Sequence, residues 1–206
     1  MPVNAVGGEG AWGSLMGGIV WQRLRIIIGM RRSRFGTVIA ICSSTLTFAA
    51  CTPVYDWRDV RVADGVLRAQ FPCRPATQVR RLTLAGQLVN LSLHACSVGG
   101  QTWALAWADV RDPARVGSAL AELQSSARAN VRATTLVALP LAVPGATPHT
   151  ASARMSLLGQ RSDGQPVREQ VAVFVRGTVV VQATVLGETL PDDAVEAFFA
   201  SLRAGS

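Results

Sequence analysis

Between residues 60 and 110 the chain alternates apolar and polar positions with a period of two, which predicts strands. Val60 to Val62 form a first strand, Asp64-Gly65 a tight turn, and Leu67, Ala69 and Phe71 alternate with Arg68 and Gln70 as a second strand. Pro72 and Pro75 end it around Cys73. Val79 to Leu84, the Ala85-Gly86 turn and Leu88 to Ala95 read as a hairpin, with Val89, Leu91, Leu93 and Ala95 on one face. After Gly99-Gly100 the pattern changes. Trp103, Leu105 and Trp107 interleave with Ala104, Ala106 and Ala108, so both faces are apolar and the strand is central, covered on both sides.

At Asp112-Pro113 the period becomes helical. An acid that can cap and a proline at the first position start a helix. Val116, Leu120, Leu123, Ala127 and Val131 then form one apolar stripe. Residues 134 to 150 predict a short strand, broken by Pro140, followed by a Pro-, Gly- and Thr-rich loop placed as a lid or binding edge. Ala153 to Leu158 return to strand, Gly159 to Gly164 turn, and Val171 to Val175 and Val179 to Leu186 make a second hairpin about Gly177. Asp192 and Asp193 suit the positive end of a last helix, whose Val195, Phe198, Phe199 and Leu202 share a face. Hairpins, a helix, hairpins and a helix predict an α+β fold: a twisted antiparallel sheet built from hairpins with two main helices packed on it. No internal repeat is visible, and residues 59 to 204 form a single globular domain.

The region before this domain has another character. Met30, Arg31, Arg32 and Arg34 precede an apolar run from Phe35 to Phe48, too short to span a bilayer as a helix. Phe48-Ala49-Ala50-Cys51 follows. The whole resembles a bacterial lipoprotein export signal, with small residues at the two positions before the cysteine and Phe48 where that pattern usually has leucine. The resemblance implies removal of residues 30–50 as a signal peptide and acylation at Cys51. It also implies a tether over 51–58 and a place in the cell envelope, on the outer membrane facing the periplasm. Ordinary cleavage near Ala49 or Ala50 and an uncleaved anchor remain alternatives. Residues 1–29 read either as an interfacial amphipathic helix or, given the second charged start at Met30, as an extension from a start codon placed too early.

Without residues 1–50 the chain has 156 residues, enough for one domain with a core. All 20 basic residues are arginine, and 15 of them face 12 acids after Cys51, so the strong positive charge of the whole chain belongs largely to the targeting region. Nucleic-acid binding is not implied. In an oxidising compartment the remaining thiols, Cys73 and Cys96, form an even pair, which predicts a disulfide closing a loop worth about 3 kcal/mol. A metal or redox site of Cys73, His94 and Cys96 is the alternative, since His94 and Cys96 share a strand face and His149 could in principle join them.

The mature part is also similar in layout to the PsbP-like α/β/α sandwich of small envelope lipoproteins. The similarity lies in the Asp64-Gly65 hairpin, the helix after Asp112-Pro113 and the closing Phe198-Phe199-Ala200-Ser201-Leu202 helix. It implies a binding or assembly factor rather than a catalyst. The residues themselves offer no nucleophile elbow, phosphate-cradling glycine loop or zinc-protease motif. Trp103 and Trp107 are candidates to line a ligand groove, with core packing as their other reading. Three functions follow. The first is a lipid-anchored envelope binding or assembly module without turnover, whose partners are the membrane and an envelope protein, with no cofactor. The second is a periplasmic thiol- or metal-dependent enzyme using Cys73, His94 and Cys96. The third is an integral membrane protein anchored by residues 15–50.

Overall fold

The computed structural model describes residues 54–205, which hold ten strands in two antiparallel sheets and two helices. Seven strands form the main sheet: β3 (Ala76–Leu84), β4 (Gln87–Val98), β5 (Gln101–Asp109), β6 (Thr135–Leu139), β7 (Ala153–Gln160), β8 (Pro166–Arg176) and β9 (Val179–Gly187). Their spatial order is β3-β4-β5-β9-β8-β7-β6. A smaller sheet joins β1 (Arg58–Val62), β2 (Leu67–Phe71) and β10 (Arg203–Ala204), in the order β1-β2-β10. The α+β class therefore holds, with more strand than the pattern alone suggested.

The α1 helix (Val116–Asn130) follows a single 3₁₀ turn at Pro113–Arg115. Its start is fixed as the sequence predicts: the Asp112 carboxylate accepts from the Ala114 N–H at 2.9 Å. Val116, Ala119, Leu120, Leu123 and Ala127 are buried against one face of the main sheet. There they meet Leu91 and Leu93 of β4, the small Ala104, Ala106 and Ala108 of β5, and Val171, Val173 and Val175 of β8. The alanines of β5 leave the room that the helix fills.

The opposite face is covered by the α2 helix (Asp192–Ser201) together with the small sheet. Phe198 sits edge-on to Phe71, Trp103 and Phe199, with ring centroids 5.4–5.5 Å apart. Arg154 of β7 pins α2 to the sheet. It donates to Glu196 Oε2 at 3.1 Å and to Gln170 Oε1 at 2.7 Å, and its guanidinium lies 4.1 Å from the Phe199 ring centre.

Three features were not anticipated. The two-residue β10 is too short to carry a period, and it joins β2 only because α2 delivers it there. The segment after β6 is no free lid. Leu141, Val143 and Ala146 pack on the aromatic core, Thr147 bridges to Val175, and the Ala204 N–H donates to the Pro144 carbonyl at 2.9 Å. Finally, Glu169 of β8 is buried on the face under α1, and its Oε2 has no hydrogen-bond partner. Desolvation pushes its pKa up to about 8.

The buried residues of both cores lie between Val62 and Ala204.

Candidate functional site

The cover formed by α2 and the small sheet lies over β5, β9 and β8 and reaches β4 only at Cys96 and Val98, leaving β3 and the rest of that face of β4 without it. The consequence is an open cradle of about 610 Å³. It is lined by Val79 and Arg81 of β3, Leu88, Asn90 and Ser92 of β4, Trp107 and Asp109 of β5, and Arg111 beyond it. The strand register explains the grouping. Val79 pairs with Ser92, Arg81 with Asn90, and Ser92 with Trp107, so alternate residues of three neighbouring strands point the same way.

One end of the cradle is set by the β3–β4 turn. Ala85 and Gly86 both have positive φ, 50° and 74°, as a two-residue hairpin turn of this hand requires. Alanine is strained there, and α1 holds it in place: Ala85 N–H donates to Glu122 Oε2 at 2.7 Å, and the Arg115 guanidinium donates to the Ala85 carbonyl at 2.7 Å. The same end is braced on the β5 side, where Gln87 donates to the Val110 carbonyl and Asp109 Oδ1 accepts from the Arg111 N–H at 2.8 Å and the Thr178 hydroxyl at 2.6 Å.

Chemically the cradle is amphipathic. Val79 is 62% exposed and Leu88 56% exposed, a pair of apolar side chains left in water. Trp107 is half-buried beside them, and its buried indole N–H has no acceptor. Arg81 and Arg111 supply positive charge and Asp109, occupied in bracing its turn, a single negative one. No acid and base are poised across a common point. The arrangement suits holding a partly apolar group, not activating one.

The two tryptophans singled out as groove residues part company. Trp103 is 0% exposed, enclosed by Phe198, Tyr55 and Trp57, and does not line the cradle. Trp107 lies on the same strand face four residues on, half-buried at the edge of the cover.

Cys73 and Cys96 are bonded to each other, so both sulfurs are occupied, and the bridge ties the segment after β2 to β4. His94 lies between this bridge and the cradle on the same strand face. Its Nδ1 is 3.0 Å from Thr77 Oγ1, and burial lowers its pKa, so the ring is neutral at pH 7. His149 sits elsewhere, beside Gly117 of α1, where its Nδ1 accepts from the Ala151 N–H at 3.1 Å. Among the described residues no group of three or more His, Cys, Asp or Glu side chains is placed to hold a metal. Among them, too, no helix is long and apolar enough to cross a membrane.

The export signal, Cys51 and the segments 1–29 and 15–50 lie outside the described residues. Comparison of the chain with protein-family models, curated proteins and solved structures found no match.

The cradle residues apart from Trp107 were not singled out from the sequence. One signal was there: Leu88 is the apolar exception on the β4 face that otherwise reads Asn90, Ser92, His94.

Proposed function

We propose that the protein is a cell-envelope binding or assembly module that works without turnover, anchored by acylation of Cys51 and facing the periplasm from the outer membrane. The observation that carries the binding role is the β3–β4–β5 cradle, with Val79 and Leu88 exposed and Trp107 half-buried beside Arg81 and Arg111. An exposed apolar pair rimmed by charge is the usual mark of an interaction surface. The occupant that fits is a segment of an envelope protein with an apolar side chain and a nearby carboxylate. The bonded Cys73–Cys96 pair supports an oxidising compartment. The three layers, α1, the main sheet, and α2 with the small sheet, have the layout that the PsbP-like resemblance implies, but a layout does not transfer a function, so the binding role rests on the cradle.

Two measurements test this. The intact mass of membrane-extracted protein should correspond to a chain beginning at an acylated Cys51, with Cys73 and Cys96 oxidised. An unprocessed, reduced chain in the cytosol would end the anchored reading. A photo-cross-linker placed at Leu88 should then capture a discrete envelope protein, whereas one at Val137, on the far edge of the sheet, should not. Equal capture at both positions would remove the cradle from its role.

A further inference from the structure

The outward face of the small sheet carries an unusual register. Arg61 of β1 is directly opposite Arg68 of β2, and Arg68 is directly opposite Arg203 of β10. All three are exposed. Neighbouring strands lie about 4.8 Å apart, so three like charges stand in a row roughly 10 Å long. Like charges directly opposite on adjacent strands destabilise a sheet. A fourth guanidinium, Arg176, closes in from the side. It donates to the Gly145 carbonyl at 3.0 Å and packs against Gly205. Arg68, Arg176 and Arg203 thereby line a shallow hollow of about 360 Å³.

The hollow depends on close backbone approach. A Cβ on Gly145 would fall 1.5 Å from the Ala204 carbonyl oxygen, so this loop and β10 meet only because residue 145 is glycine. Compensation within the protein is slight. Arg203 donates to the Ala200 and Leu202 carbonyls at the end of α2, and among the described residues no carboxylate forms an ion pair with any of the four arginines. Asp59, on the same face of β1, is engaged by Gln70 at 3.1 Å.

We infer that this arginine row is a docking site for the phosphate groups of anionic lipid headgroups. Guanidinium forks match phosphate oxygens in pairs, and the three strands present them side by side to an array of phosphates. A lipid surface, rather than a lone phosphate, fits because the row runs on past the hollow of Arg68, Arg176 and Arg203 to Arg61, across all three strands. Position agrees: six residues separate Cys51 from Arg58, a reach of at most roughly 24 Å, so an anchor at Cys51 would hold the row near headgroups. That last point rests on the anchored reading. The row's chemistry does not.

The test uses the chain from Thr52 to Ser206, which lacks Cys51 and contains every buried residue of both cores, so its outcome is independent of whether Cys51 is modified; a cooperative thermal transition of this chain is confirmed first. It should co-sediment with vesicles of phosphatidylglycerol and phosphatidylcholine and not with phosphatidylcholine alone. Substituting R61Q, R68Q and R203Q together should weaken that binding by about 100-fold, from roughly a fivefold gain per arginine at an anionic surface. The same triple variant should melt no lower than the parent, because a like-charge row has been relieved. Removing equal charge elsewhere, with R80Q, R128Q and R132Q, should change binding by less than about threefold. Loss as large in that control would show that net charge alone is responsible and would overturn the site. Displacement from vesicles by inorganic phosphate at ordinary ionic strength would replace the lipid surface with a free phosphate ligand. Equally tight binding to a short DNA duplex would replace it with nucleic acid.

Discussion

Beneath α1, apolar side chains run from Leu82 on β3 to Leu157 on β7, interrupted by the buried Gln182 and Thr184 of β9 and Glu169 of β8, and the helix lies across them. On the opposite face the cover is made of two pieces, α2 and the small sheet, and its core reaches β8, β9, β5 and the Cys96–Val98 end of β4 before stopping. One face is closed with many small contacts; the other is closed tightly at its centre and left open at a flank. The open flank holds Trp107, Leu88 and Val79, while the outside of the covering sheet holds the arginine row. Both candidate surfaces thus belong to the composite side, and the α1 side supplies stability and the brace for the Ala85-Gly86 turn.

The contrast can be tested first at its strangest point, Glu169, which is an acid within the closed face. Its folded pKa of about 8 stands above the ordinary 4.5. Below pH 4.5 both folded and unfolded chains hold the proton, and the group costs nothing in charge. As pH rises from there the unfolded chain releases its proton while the folded one keeps it, so stability falls until about pH 8 and then levels off. At about 1.4 kcal/mol per pKa unit, as much as about 5 kcal/mol is lost across that window. Denaturant unfolding at pH 5 and pH 9 should show this fall in the wild type and not in Glu169→Gln. A flat wild-type profile would mean that water reaches the carboxyl and the face is less closed than described.

The disulfide should come next in size. Replacing Cys73 and Cys96 by alanine should lower stability by about 3 kcal/mol, since the bridge joins the segment leaving the small sheet to β4 of the main one. Hydrogen exchange should then rise in β1 and β2 more than under α1. Uniform loosening of both faces would erase the distinction drawn between them. The smallest effect is expected at the open flank: Leu88→Ser should alter stability by less than about 0.5 kcal/mol while abolishing capture by a photo-cross-linker placed at Val79 in the same cradle. A large loss of stability would make Leu88 a core residue and not a contact.

Local pattern carried much of this architecture. The stripe Val116-Leu120-Leu123-Ala127 specifies α1, and the double-sided apolar run at residues 103–108 places β5 inside the sheet, because each burial pattern follows from a period read within one element. What pattern could not carry was extent. Trp103 and Trp107 have the same neighbours in kind and the same strand face; only the length of a cover assembled from distant residues makes one core and the other surface. The arginine row was hidden for a related reason. Arg61 and Arg68 are seven apart, but Arg203 comes more than a hundred residues later, on a strand too short to announce itself.

That late strand has a consequence for how the molecule is completed. Because β10 pairs with β2, the latest described element lies beside the second, and the small sheet lacks its third member until β10 is in place. The arginine row is therefore whole only when strands far apart in the chain have met. A protein docked through it would by that fact have β10 seated on β2.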